Sequence, residues 1–106
     1  MAGQLADILS HRPLIIAHRG ASARALENSG KALSLALRLG ADMVEIDLRL
    51  TKDRIPVIFH DEDTRRLSSR QSVISATPYA ELRDLPLEGG EKILTLDESL
   101  HLIGGA

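Results

Sequence analysis

A chain of 106 residues, 43% of them apolar, suffices for one small domain, and its core has to be aliphatic because Phe59 and Tyr79 are the only aromatics. Thirteen basic and fifteen acidic residues are mixed along the chain for a net charge of −2, which leaves no basic footprint for nucleic acid. The lack of cysteine excludes disulfides and thiolate metal sites. Residues 1–13 show no basic n-region of a signal peptide, and the longest apolar run, Leu14 to Ala17, is far too short to span a bilayer, so the expectation is a cytoplasmic protein with no integral membrane segment.

In chain order, residues 1–13 form an N-terminal segment with one short helical possibility at Gln4 to Leu9, and residues 14–106 read as the domain proper. Leu14-Ile15-Ile16-Ala17 is a continuous apolar run ending at His18-Arg19-Gly20, the pattern of a strand buried on both faces that opens into a polar loop. Asn28 or Ser29 caps a helix carrying Leu33, Leu35, Ala36, Leu37 and Leu39, closed by Gly40 at C′. From Val44 to Leu50 apolar residues alternate with Glu45, Asp47 and Arg49, the period of a strand with one buried face. Strand, helix and strand with short links make a right-handed βαβ unit, so the strands at 14–18 and 43–50 should be parallel neighbours.

After Thr51 to Arg54 a second apolar run, Ile55 to Phe59, ends in His60-Asp61, and a hairpin is the economical reading. With Asp53 and Arg54 as a two-residue turn, Asp47 falls opposite His60. A three- or four-residue loop shifts that pairing, and Arg54 sits where a tight turn prefers glycine. Glu62 to Ser75 is polar and irregular, its Arg65, Arg66 and Arg70 reading as a solvated face. Thr77-Pro78 starts a short helix to about Leu85, with threonine as cap. Leu87 to Lys92 reads as loop, and Thr95-Leu96-Asp97-Glu98 is a capping box opening a helix through Ile103.

The chemistry gathers at one end of this arrangement. Period-2 geometry points Glu45 and Asp47 the same way, about 7 Å apart, which suits the oxygen-ligand demand of a hard divalent cation as well as a plain solvated face. In parallel α/β folds ligands bind beyond the carboxyl ends of strands, where His18, Glu45 and Asp47 all fall. A His-Asp pair also serves the helical metal phosphohydrolases, but here it follows Val57-Ile58-Phe59, a β-branched and aromatic run that favours a strand.

Taken together and in order, His18-Arg19-Gly20, Glu27-Asn28-Ser29, Gly40 to Asp47 and Thr51 to Asp61 closely resemble the N-terminal part of the glycerophosphodiester phosphodiesterase family, with a fainter likeness through Ile93 to Glu98. The resemblance implies an α/β fold of a TIM-type (β/α)8 barrel, of which this chain would be the βαβ start plus a hairpin excursion, truncated after about two strands. It also implies hydrolysis of glycerophosphodiesters to glycerol 3-phosphate and an alcohol with a divalent cation, Mg2+ or Ca2+. By position it makes Glu45 and Asp47 metal ligands, His18 and His60 the acid/base pair, and Arg19 a phosphate contact, with Glu27 and Asn28 shaping the first loop and capping the helix. Leu26, Ser29 and Arg54 depart from the family's usual proline, threonine and turn glycine. A barrel takes about 250 residues. The competing expectation is therefore a non-catalytic remnant, or a fragment that binds a cation or partner weakly and self-associates through open strand edges.

Overall fold

The computed structural model describes residues 13–104, so the helix read at Gln4 to Leu9 lies outside the described residues. The apolar run ends as β1 (Ile16–His18), the helix follows as α1 (Gly30–Arg38), and β2 (Met43–Glu45) returns beside β1. The pairing is parallel, Ile16 with Met43, Ala17 with Val44 and His18 with Glu45, as the βαβ reading requires. Ser29 caps α1 by accepting the Ala32 N–H at 3.1 Å. At the other end Gly40, at φ +82°, lets its own N–H reach the Leu37 carbonyl and that of Ala41 reach Ala36, closing α1 with a Schellman motif.

The strand expected to run unbroken from Val44 to Leu50 is two strands in two sheets. β3 (Leu48–Leu50) leaves β2 after Ile46 and Asp47 and pairs antiparallel with β4 (Pro56–Ile58). The break falls where a side chain replaces a ladder partner: the Asp47 N–H donates to Asn28 Oδ1 at 3.3 Å. The hairpin register also differs from the two-residue-turn reading. Leu48 pairs with Ile58 and Leu50 with Pro56, and the Phe59 N–H meets the Asp47 carbonyl, so Asp47 faces Phe59 and not His60. The extra loop residue is Lys52, and the loop of Lys52, Asp53 and Arg54 closes with Arg54 at φ +65°. A three-residue loop with its last member in the left-handed region is the next most common hairpin closure after the two-residue turns, and here Arg54 takes the position that glycine usually fills.

Beyond the hairpin, Ile74–Ala76 and Glu88–Gly90 are single 3-10 turns, the second lying inside the stretch read as loop; α2 (Tyr79–Asp84) lies between them and α3 (Leu96–Ile103) follows. Thr77 does not cap α2, because its hydroxyl donates to the Val73 carbonyl at 2.7 Å. The cap comes from the hairpin loop instead, where Asp53 Oδ1 accepts the Tyr79 N–H at 3.0 Å. The capping box on α3 forms as read, with Thr95 and Glu98 each satisfying the other's backbone N–H.

The main core lies under this second half. Val57, Phe59, Leu67, Ile74, Leu82, Leu85, Leu87 and Ile93 form one buried cluster, with Leu26 and Tyr79 packed on its edge. α1 buries Ala32, Leu33 and Ala36 on its inner face and packs against α3. The expectation that the first strand is buried on both faces is not met: Ile15 is 62% exposed and Ile16 56%, and on β3 Leu48 is 51% and Leu50 47% exposed. β1 therefore lacks the cover on both sides that a continuous apolar run calls for, and the alternating run of Val44 to Leu50, expected to bury one face, leaves its Leu48 and Leu50 exposed. None of the described helices is long and apolar enough to cross a membrane.

Candidate active site

The site starts where β1 ends. Arg19 and Gly20 both take positive φ, +57° and +78°, so the chain turns sharply at the strand's carboxyl end. That turn aims the Arg19 N–H at Glu45 on the neighbouring strand, 3.2 Å from Oε1, while His18, the ladder partner of Glu45, holds Nε2 3.9 Å from the same oxygen. The Arg19 side chain donates from Nη1 to Glu27 Oε2 at 3.0 Å. Its Nε is buried 3.2 Å from Asp47 Oδ2, close enough for charge attraction but off-angle for a hydrogen bond.

Asn28 is buried, takes φ +55°, and grips Asp47 twice: Nδ2 donates to Oδ2 at 3.1 Å and Oδ1 accepts the Asp47 N–H. Of the described residues other than glycine only Arg19, Asn28 and Arg54 have positive φ, and the first two lie here. Such backbone is held only where its surroundings over-determine it. The Asn28 N–H donates to the Arg19 carbonyl at 2.8 Å, which supplies that determination.

A second group gathers after β4. Arg49 Nε donates to the His60 carbonyl at 2.8 Å, and His60 Nδ1 lies 2.7 Å from Asp61 Oδ1. Arg66 reaches across both groups, donating from Nη1 and Nη2 to the two oxygens of Glu27 at 2.8 and 2.7 Å and from Nε to Asp61 Oδ2 at 2.9 Å. The Arg66 hydrogen bond, with His60 second, holds the Asp61 carboxyl down at about 2, and the same guanidinium lowers Glu27. The two carboxylates in turn push the Arg66 guanidinium up.

The structure thus brings His18, Arg19, Glu27, Asn28, Glu45 and Asp47 into one connected cluster, and ties His60 to it through Asp61, Arg66 and Glu27. Two expectations are corrected. Asn28 does not cap α1, a task Ser29 performs, and Arg66 is an ion-paired bridge where a solvated face was read. The adjacency of Asp61 to His60 is a signal the sequence did carry. Arg66 had none, because an irregular segment offers no period from which to read a contact between residues 27 and 66.

Among the described residues no group of three or more His, Cys, Asp or Glu side chains gathers closely enough to hold a metal ion. Glu45 and Asp47 do fit a hard divalent cation in kind, as oxygen donors with lone pairs beyond the contacts named above, but further oxygens are needed for a shell of six or more. An apolar hollow of about 280 Å³ between β1 and α1, lined by Ile15, Ala17, Ala21, Ala36, Leu39 and Ala41, contains none of these polar residues.

Residues 18–103 match the Glycerophosphoryl diester phosphodiesterase family. A glycerophosphodiester phosphodiesterase of Caldanaerobacter subterraneus is 37% identical over 88% of this chain and 41% of its own length. Among solved structures, an Oleispira antarctica phosphodiesterase in complex with the product sn-glycerol-3-phosphate is 41% identical with a TM-score of 0.83, over 88% of this chain and 40% of that one. A glycerophosphodiester phosphodiesterase from Thermotoga maritima is 41% identical with a TM-score of 0.75, over 86% of this chain and 39% of that one. The chain spans about 40% of the length of each of these three relatives.

Proposed function

The chain belongs to the glycerophosphoryl diester phosphodiesterase family, whose members are phosphodiesterases, and from that premise we propose that it contributes the first half of a site that hydrolyses glycerophosphodiesters to glycerol 3-phosphate and an alcohol. The observation that carries this is the double use of Arg19, whose backbone fixes Glu45 while its side chain lies between Asp47 and Glu27 with a buried Nε that no hydrogen bond satisfies. A buried guanidinium N–H without an acceptor is costly, and a phosphate oxygen entering beside it supplies one.

In this reading Arg19 binds a non-bridging oxygen of the diester and stabilises the charge that grows there. Glu45 and Asp47 would hold a divalent cation, Mg2+ or Ca2+, which supplies Lewis-acid polarisation of the phosphate when bound. Asn28 keeps the Asp47 carboxylate oriented for that task. His18 and His60 form the acid/base pair, one accepting a proton from the attacking water and the other giving one to the departing alkoxide. Glu27 anchors Arg19, so its part is support. The β1–β2 pair is read as the opening of a (β/α)8 barrel and the hairpin as an excursion from it.

A second reading, a non-catalytic fragment that binds a cation or partner weakly, is favoured by the absence of a three-ligand group among the described residues. One assay separates the two. Release of glycerol 3-phosphate from glycerophosphocholine by the purified chain with Mg2+ or Ca2+, abolished in His18→Ala or His60→Ala, selects the first reading, with copies of the chain completing the site. Turnover that survives either substitution overturns the assigned roles. No turnover, with cation binding that disappears in Glu45→Gln and Asp47→Asn, selects the second reading.

A further inference from the structure

We propose that Asp61 is a positioning residue for His60, and that Arg66 holds Asp61 in place from the far side of the site. The proposal rests on the reading of His60 as half of the acid/base pair. The backbone of His60 is already pinned, by Arg49 on its carbonyl at 2.8 Å and by the preceding ladder bond from the Phe59 N–H to the Asp47 carbonyl at 2.9 Å. The ring is a separate matter, since its side chain is 45% exposed and rotates about two bonds. Its hydrogen-bond partner among the described residues is Asp61 Oδ1, 2.7 Å from Nδ1.

Asp61 is ionised near neutral pH, so it accepts and Nδ1 must carry the proton. Nε2 is then the nitrogen left to take a proton from the attacking water or return one to a leaving alkoxide. Asp61 needs its own restraint, because it stands in an irregular segment outside any strand or helix. Arg66 provides it with two contacts, 2.9 Å to Oδ2 and 3.2 Å to Oδ1, and is itself fixed by a bidentate grip on Glu27. Because Glu27 also anchors Arg19 at 3.0 Å, the orientation of His60 and that of the Arg19 guanidinium are set by one continuous chain of charge-assisted hydrogen bonds.

The experiment reads the His60 tautomer directly, by 15N shifts of Nδ1 and Nε2 in the 106-residue chain, at a pH about two units above the ordinary histidine value of about 6.5. The parent should show the Nδ1–H form. Asp61→Asn preserves shape but offers an amide N–H to Nδ1, so the ring should shift toward Nε2–H. Asp61→Ala should give the averaged shifts of a free imidazole, and Arg66→Gln an intermediate position, with His18 signals unmoved in all three. Where turnover is measurable, Asp61→Asn should lower kcat about 10- to 100-fold with KM changed less than about twofold, within what a general acid or base supplies. A parent-like Nδ1–H tautomer in Asp61→Asn and Asp61→Ala overturns the proposal, as does an unchanged kcat in an active protein. A tautomer shift in a chain without turnover supports the positioning role and counts only against the catalytic reading of His60.

Discussion

Asn28 is the residue on which the geometry of the site can be tested most directly, because its side chain and its backbone make separable contributions. Asn28→Ala removes the acceptor of the Asp47 N–H and the donor to the Asp47 carboxylate. Leaving such groups unsatisfied in a partly buried position costs about 1–3 kcal/mol. Alanine must also hold φ +55°, which asparagine tolerates and alanine does not, for about 1–2 kcal/mol more. The expected loss is about 2–5 kcal/mol, which at a urea slope of about 1.5 kcal/mol per molar lowers the unfolding midpoint by about 1.3–3.3 M. Asn28→Gly loses the same hydrogen bonds but not the backbone term, so it should be about 0.5–1 kcal/mol better than Asn28→Ala after glycine's freer unfolded chain is counted. Equilibrium urea titrations of the three proteins followed by far-ultraviolet circular dichroism measure both differences. Midpoints of the two variants within about 0.2 M of each other would refute the backbone argument, and either midpoint within about 0.3 M of the parent would refute the claim that Asn28 holds Asp47.

Other consequences of the structure are open to equally simple measurements. Asp61, Glu27 and Glu98 are all held below their ordinary values, by Arg66 in the first two cases and by the Thr95 N–H in the third, so their stabilisation is present above the unfolded value of about 4 and is lost as pH falls toward the folded values, about 2 for Asp61. Denaturation midpoints should fall between pH 5 and pH 2, and a flat profile there would contradict the ion pairs described. Gly20→Ala puts a methyl 2.7 Å from the Ala32 carbonyl carbon at φ +78°, whereas Gly40→Ala meets nothing within 4 Å at φ +82°. Gly40→Ala should cost about 1 kcal/mol of backbone strain and Gly20→Ala at least about twice that, and equal melting temperatures for the two would show that the β1–α1 loop does not pack as described. The exposed Ile15, Ile16, Leu48 and Leu50 should drive self-association of the 106-residue chain. Light scattering should then find a mass above the monomer that falls in Ile16→Lys and Leu48→Lys, and a monodisperse monomer would sink that expectation.

What the sequence determined by itself was local and covalently near. The Thr95 cap and the Gly40 terminator were legible, and the cap of α1 was narrowed to Asn28 or Ser29, because capping acts over three or four residues. The parallel β1–β2 pairing followed from a rule of connection that needs only the order of elements. The ordered motifs around His18, Glu45, Asp47 and His60 carried the family. What only the tertiary structure decided depended on contacts between distant segments. The split of the 43–50 run into two sheets comes from Asn28 taking the Asp47 N–H, 19 residues away. The one-residue shift of the hairpin comes from Arg54 accepting a positive φ that its side chain does not advertise. The cap on α2 is lent by Asp53 from 26 residues upstream. Arg66 reaches Glu27 across 39 residues of chain and ties the two halves of the site together. Periodicity says which face of an element is apolar, but an ion pair between two loops has no period, and it exists only once packing has fixed where both loops run.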